Sequence, residues 1–190
     1  MRLLKRALFL ILPALLAFAS CSETDDAVVY DTWAIENQVY LNEIAAEARE
    51  NVSGDWRIFL ANGLDGNKEW PVDYYVYCKV KKSGTEPGSP FYNDVVLVNY
   101  SGALMNGNIF DNTYTGELVP EKTTPVELQL NGCVTGFITA LQEMVRGDIW
   151  EIYIPSTLGY GSNATTTVPA GSVLVFTVNL VDFVHNGENL

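Results

Sequence analysis

The sequence predicts an α+β domain in which a twisted antiparallel sheet of five to six strands wraps around one short helix. Most apolar segments after residue 72 alternate with a period of two, which is typical of strands with one buried face. Only one segment in this part of the chain has the helical period, and it is short. Strands and one helix in roughly a hundred residues fit two layers, a sheet packed on a helix.

The strand pattern recurs in six segments, which are residues 74–80, 95–100, 103–110, 126–130, 149–154 and 173–181. Within the third segment, Asn106 and Gly107 predict a two-residue hairpin turn. The last segment is almost continuously apolar, which indicates a central strand. The polar residues 111–125, which include Gly116 and two prolines, predict a flap or bulge.

The short helix is predicted from an apolar stripe at positions i, i+3, i+4 and i+7, namely Phe137, Ala140, Leu141 and Met144. Arg146 and Gly147 supply a stop signal, a cation followed by a residue that accepts positive φ. After the next strand, a loop presents Tyr160 between two glycines, where a phenol can lean over a cavity.

The domain organisation follows from changes in composition. Residues 1–20 predict an export signal, residues 21–71 a tether with a helical N-terminal extension, and residues 72–186 the main domain. In the extension, residues 22–30 are interpreted as an acidic tether, and a helix is expected from Asp31 to about Asn51. Because residues 31–70 are too few for a core of their own, we expect them to pack on the main domain or to form a homodimer.

The first 21 residues resemble a bacterial lipoprotein signal. Three basic residues, Arg2, Lys5 and Arg6, precede an apolar run, and small residues stand just before Cys21, although Phe18 replaces the usual aliphatic residue. The resemblance implies lipidation of Cys21 and a membrane anchor; an ordinary cleaved signal or an uncleaved anchor are the alternatives. The acidic residues after Cys21 resemble a surface-export signal, so we expect an outer-membrane lipoprotein facing the periplasm or the cell surface.

Charge and histidine content exclude several classes of function. Without residues 1–20, eight basic residues face 23 acidic ones, a net charge of −15 that repels nucleic acid. The only histidine, His185, lies in a segment predicted to fray, so Ser-His-Asp or Cys-His catalysis and a histidine metal site are not expected. No metal and no cofactor is predicted.

Two cysteines, Cys78 and Cys133, follow Cys21. A disulfide is one reading in an exported protein, but their apolar surroundings favour two unpaired thiols.

Several motifs in order resemble the FKBP-type peptidyl-prolyl cis-trans isomerases across about residues 72–184. They are Tyr100 to Gly102, Gly107 to Asp111, Gly136, Met144 with Gly147, Tyr160 with Gly161, and Leu174 with Phe176. The resemblance implies an FKBP-like fold and an apolar pocket. Its catalytic residues would be Tyr100, Asp111 and Tyr160, and its substrate-binding residues would be Phe110, Val126, Leu128, Cys133, Val134, Phe137, Val168 and Phe176.

This chain departs from the family pattern at the pocket. Phe137 stands where the family most often has tryptophan, Val126 and Leu128 where it is often aromatic, and Cys133 where it is commonly aliphatic. Without the resemblance, the phenylalanines would be interpreted as core, Asp111 as a turn residue and Tyr160 as an exposed loop residue.

The predicted function is rotation of X-Pro bonds in exported proteins, as a folding helper. This rotation needs loss of amide resonance, against a barrier of roughly 20 kcal/mol, and no nucleophile or proton transfer. A dry apolar pocket favours the twisted, less polar amide over the planar one. The alternative is a non-catalytic module that binds proline peptides or acts as a chaperone, which the smaller Phe137 floor would favour.

Overall fold

The computed structural model describes the backbone of residues 25–185 and the side chains of residues 32–185. The predicted signal segment and Cys21 lie outside the described residues. Two helices are described, α1 (Asp25–Glu50) and α2 (Thr135–Leu141). The strands are β1 (Trp56–Leu60), β2 (Tyr75–Lys82), β3 (Val95–Leu104), β4 (Ile109–Asn112), β5 (Val126–Gln129), β6 (Ile149–Ile154) and β7 (Leu174–Val184).

All seven strands belong to one antiparallel sheet with the order β1-β2-β6-β7-β3-β4, and β5 pairs with the other end of β3. The α+β prediction is confirmed, but the sheet has one strand more than the five to six expected. The additional strand is β1, in which five residues pair with β2 from Trp56↔Lys79 to Leu60↔Tyr75. The predicted pieces 95–100 and 103–105 form one strand, because the small Ser101 and Gly102 continue the pairing with β7.

The concave face of the sheet packs on α2. At Gly136, an added Cβ would lie 2.3 Å from Ile154 Cγ2, so only glycine lets α2 approach β6 this closely. The helix ends at Leu141, earlier than its apolar stripe predicts, yet Met144 is fully buried. Gly147 has φ of 89°, which agrees with its predicted role as a stop.

The convex face carries a second core beneath α1. Leu41, Ile44, Ala45 and Ala48 of α1 pack there with Trp56, Tyr77, Tyr153 and Val173 of the sheet and the residues that flank it. The extension therefore packs on the main domain. Its helix begins at Asp25, six residues before the start expected at Asp31, so residues 25–30 are helical. Acidic residues at Asp25 and Asp26 suit the positive end of a helix dipole, which explains the earlier start.

The C-terminal end of the described chain is fixed, contrary to expectation. His185 was expected to fray, but its Nδ1 lies 2.7 Å from Asp94 Oδ2 and its ring stacks on Phe91 with centroids 4.5 Å apart. Asp94 is 1% exposed, so this contact holds the end of β7 against the core. The boundary between residues 71 and 72 stays a prediction.

Candidate active site

An apolar hollow of about 300 Å³ opens between the concave sheet face, the start of α2 and the loop that follows β6. Nine residues line it, namely Tyr100, Asp111, Leu128, Gly132, Cys133, Val134, Phe137, Tyr160 and Phe176. Eight of them belong to the eleven residues expected from the sequence. The structure therefore brings together side chains from β3, β4, β5, α2 and β7 that are up to 76 residues apart in the chain.

Aromatic rings form the walls of the hollow. The Phe176 ring is 5.2 Å from Phe137 and 5.4 Å from Phe110, centroid to centroid, and both pairs meet edge to face. Edge-to-face pairs at this spacing are favourable because the positive ring edge meets the negative ring face. Gly102 lies directly under the Phe176 ring and the Phe110 ring that packs against it, since an added Cβ would lie 2.7 Å from both rings.

The polar rim of the hollow is a tyrosine paired with a carboxylate. The Tyr100 hydroxyl donates a hydrogen bond of 2.7 Å to Asp111 Oδ2. The pairing of β3 with β4 places the two side chains together, because Asp111 is opposite Gly102. Burial, and secondly the bond to Asp111, raise the pKa of Tyr100 above its usual range, so the phenol stays protonated and keeps donating.

The backbone behind this pair is also fixed. Thr113 Oγ1 accepts the Tyr100 N–H at 2.9 Å, and the Thr113 N–H donates to the Tyr100 carbonyl at 2.9 Å. These bonds hold the end of β4 against β3, so Asp111 is positioned by the sheet although its side chain is exposed.

The floor is Phe137, which is 4% exposed. Cys133 and Val134 precede it in the turn before α2, and burial raises the pKa of the Cys133 thiol. Cys78 and Cys133 are both free thiols, as the sequence favoured. Gly132 was not predicted to line the hollow, although the Asn131-Gly132 dipeptide indicated a turn at this position.

Tyr160 closes the hollow from the loop side and is 39% exposed. The next residue, Gly161, has φ of 62°, which favours glycine and turns the chain away behind the phenol. Among the described residues, no side chain or backbone group is hydrogen-bonded to the Tyr160 hydroxyl. This hydroxyl can therefore donate to a bound carbonyl.

The structure does not place three expected residues on the lining. Phe110 stands behind it, in contact with Phe176. Val126 begins the short strand β5 opposite Val98 and is 36% exposed, so it lies outside the hollow. Val168 is 2% exposed and packs in the main core, because a turn closed by Thr165 directs it inward.

Among the side chains of residues 32–185, no group of three or more that could hold a metal ion is found. No described helix has the length and apolar character to cross a membrane.

Comparison with known proteins identifies the family to which the chain belongs. The family model described as FKBP-type peptidyl-prolyl cis-trans isomerase matches residues 87–181, half of the chain. The chain belongs to this family, which confirms the resemblance inferred from its motifs.

Two curated relatives illustrate the extent of the likeness. The peptidyl-prolyl cis-trans isomerase Mip of Coxiella burnetii is 38% identical over 104 residues, covering 54% of this chain and 42% of Mip. The FKBP-type peptidyl-prolyl cis-trans isomerase FkpA of Escherichia coli is 35% identical over 94 residues, covering 50% of this chain and 33% of FkpA. The chain therefore matches less than half the length of these relatives.

Solved structures agree on the fold. A peptidyl-prolyl cis-trans isomerase of Pseudomonas syringae superposes with a TM-score of 0.56 at 26% identity, covering 78% of this chain and 96% of that one. FkpA of Escherichia coli superposes with a TM-score of 0.60 at 24% identity, covering 83% of this chain and 63% of that one, which is a likeness of fold.

Proposed function

We propose that this chain is a peptidyl-prolyl cis-trans isomerase that rotates X-Pro bonds in exported polypeptides and so assists their folding. The observation that carries the proposal is the aromatic hollow whose rim holds Tyr100, Asp111 and Tyr160. Such a site can bind a proline ring and its flanking amide without a nucleophile. Family membership and the relatives named as isomerases support the same activity.

In the proposed mechanism, the proline ring enters the hollow against Phe137 and Phe176. The planar X-Pro amide is polar, and a twisted amide, having lost its resonance, is less so. A hollow lined mainly by apolar side chains therefore favours the twisted form relative to the planar one. The selective stabilisation of the transition state lowers the rotation barrier.

The polar side chains of the rim orient the bound peptide. The Tyr160 hydroxyl donates to a carbonyl of the peptide, and the Asp111 carboxylate, held by Tyr100, faces the rotating amide and polarises it. Because rotation breaks no covalent bond, no proton acceptor such as histidine is required.

The test is a protease-free assay of cis/trans exchange in an X-Pro tetrapeptide, with the chain from residue 22 to residue 190. We expect catalysed exchange by the unchanged chain, and strongly reduced exchange with Asp111→Leu or Tyr160→Phe. A Lys68→Gln variant, at an exposed position outside the lining of the hollow, serves as the matched control and should retain full activity.

A binding-only module remains the alternative outcome of this test. Binding of the proline peptide without any enhancement of exchange would refute the isomerase proposal. The relatives are named isomerases, which favours catalysis.

We propose further that Cys21 is lipidated and anchors the domain to the outer membrane, on its periplasmic face or at the cell surface. The support is the sequence of residues 1–26, with its basic start, apolar run and small residues before the cysteine. Mass spectrometry of the membrane fraction should detect acylated chain, and Cys21→Ser should release the protein. Unmodified Cys21 would contradict the anchor.

A homodimer through residues 31–70 is also proposed, because α1 carries a pair of exposed apolar side chains that do not pack on the sheet. Ile35 is 64% exposed and Val39 is 52% exposed, one helical turn apart. Light scattering of the chain should give a dimer that Ile35→Glu with Val39→Glu converts to a monomer. The same mass for both proteins would refute this dimer.

A further inference from the structure

A set of hydrogen bonds connects the helix α1 with the loop beside the candidate active site. The helix itself lies outside the family match, which begins at residue 87. Asn37 is a polar residue in the apolar stripe of α1, and it is 1% exposed. Its Oδ1 accepts the Val173 N–H at 2.8 Å, and its Nδ2 donates to the Trp33 carbonyl at 2.8 Å. A buried amide satisfied on both sides is a specific contact.

Trp33, one turn earlier on α1, contacts the neighbouring residue of the same loop. Its Nε1–H donates to Ser172 Oγ at 2.9 Å, and Ser172 Oγ donates to the Pro169 carbonyl at 2.6 Å. Two side chains of α1 therefore hold two consecutive loop residues, Ser172 and Val173. The residues that meet here are separated by 136 and 139 positions in the chain.

The held segment continues to the rim of the hollow. The N–H of Gly171 donates to the carbonyl of Gly161 at 2.8 Å, and Gly161 directly follows Tyr160. Gly161 also donates its own N–H to the Ser156 carbonyl at 2.8 Å. A continuous path of adjacent residues and hydrogen bonds thus connects α1 with the phenol that closes the hollow.

Apart from the contacts with α1, the loop is held by Val168, which packs in the main core, and by the turn bonds between Thr165 and Val168. Between Tyr160 and Val173 it forms no helix or strand in the described structure, and residues 162–167 are exposed. Val168 and Ala170 are its buried apolar side chains before Ser172. Segments with few buried contacts open locally at low cost, so each tether contributes measurably to their position.

We propose that Asn37 and Trp33 are positioning residues of the isomerase site. Through Ser172 and Val173, α1 holds the loop 160–173 so that the Tyr160 phenol faces the hollow. The helical extension is then part of the catalytic unit in addition to being a connection to the N-terminus. This inference rests on the proposed isomerase function for its kinetic consequence, whereas the tether itself can be measured without activity.

The first test is hydrogen exchange of the chain from residue 22 to residue 190, read at the amides of residues 160–173. Asn37→Ala should speed exchange in this segment roughly fivefold or more, the factor that one net hydrogen bond contributes. Asn51→Gly is the matched control. It removes an asparagine oxygen that accepts the Trp56 N–H at 3.0 Å at the other end of α1, and Asn51 has φ of 43°, which glycine accepts.

The second test is kinetic, at a temperature where every variant is folded. Because Tyr160 is proposed to hold a substrate carbonyl, Asn37→Ala should raise KM roughly fivefold with kcat within about twofold. Asn51→Gly should leave KM and kcat unchanged, because at this temperature a small loss of stability does not lower the fraction of folded protein. Trp33→Phe retains an aromatic side chain, although a smaller one, removes the donor to Ser172 and should shift KM in the same direction as Asn37→Ala.

The outcomes separate the two proposals. Faster exchange in residues 160–173 with Asn37→Ala but not with Asn51→Gly supports the tether. This conclusion holds even if the unchanged chain shows no isomerase activity. Such inactivity would refute the isomerase proposal and leave the tether standing. Unchanged exchange in this segment and unchanged KM in both Asn37→Ala and Trp33→Phe would overturn the positioning role.

Discussion

The bond between the Tyr100 hydroxyl and Asp111 Oδ2 is the contact at the rim that a single atom change can remove. Tyr100→Phe deletes the donor and keeps the ring that faces Phe137 at 6.3 Å and Phe176 at 6.1 Å. The hydrophobic wall is therefore preserved, and any effect reports on the hydrogen bond.

The magnitude follows from the geometry. A bond of 2.7 Å to a carboxylate is short and charge-assisted, and hydrogen bonds to charged groups contribute about 1.5–3 kcal/mol when shielded from water. Asp111 is exposed, so water competes for its oxygens and we expect about 1 kcal/mol. If all of it orients Asp111 in the transition state, kcat/KM falls roughly fivefold.

Tyr77→Phe is the control for this prediction. The Tyr77 hydroxyl donates to the Val72 carbonyl at 3.0 Å, under α1 and away from the hollow. Removing it should lower the free energy of unfolding by about 1 kcal/mol, as in Tyr100→Phe, and leave kcat/KM unchanged. Kinetics by the protease-free assay and stability by urea unfolding separate the two effects. Equal loss of kcat/KM in both variants, or none in Tyr100→Phe, would refute the role of the rim pair.

Three further outcomes are expected. Gly102→Ala should push the rings of Phe110 and Phe176 apart, lower the free energy of unfolding by about 1–3 kcal/mol and weaken proline-peptide binding in a fluorescence titration; full affinity would contradict the wall. Phe137→Trp should extend the floor into the hollow and tighten the peptide Kd by roughly threefold, and an unchanged Kd would show that the proline ring does not reach this floor. Burial raises the pKa of Tyr77 to about 12 from its usual 10.0, so the unfolded chain loses the Tyr77 proton at lower pH than the folded chain. The free energy of unfolding should therefore fall between pH 10 and pH 12, and it should fall less steeply in Tyr77→Phe. Parallel curves for the two proteins would contradict this assignment.

The sequence predicted those parts of the fold in which the pattern is local. The alternation in residues 149–154 and the Asn106-Gly107 turn correspond to β6 and to the β3-β4 hairpin. The strand β1 was missed as a strand because five residues with an arginine inside give no clear period, and only pairing with β2 makes them a strand. Tyr77 shows the same limit, since alternation places it on an outer face that α1 then buries completely.

The candidate site was also predicted only in part from the sequence. Tyr100, Asp111 and Tyr160 line the same hollow, as their motifs implied, because those motifs mark fixed places in the family's fold. Val168 was assigned to the pocket by the family resemblance, but its burial depends on how residues 163–168 turn, which no motif fixes. The helical pattern places Asn37 on the same face as Leu41 and Ile44, but its partner Val173, 136 residues away, could be found only in the structure.

The central claim is that one hollow both binds an X-Pro segment and lowers the barrier to its rotation. Two-dimensional exchange NMR on one sample of tetrapeptide with a small amount of the chain from residue 22 to residue 190 measures both. We expect cis–trans cross-peaks that grow with added chain, together with shifts at amides of residues 133–137 and 160. Shifts at these amides without any increase in exchange would contradict the claim.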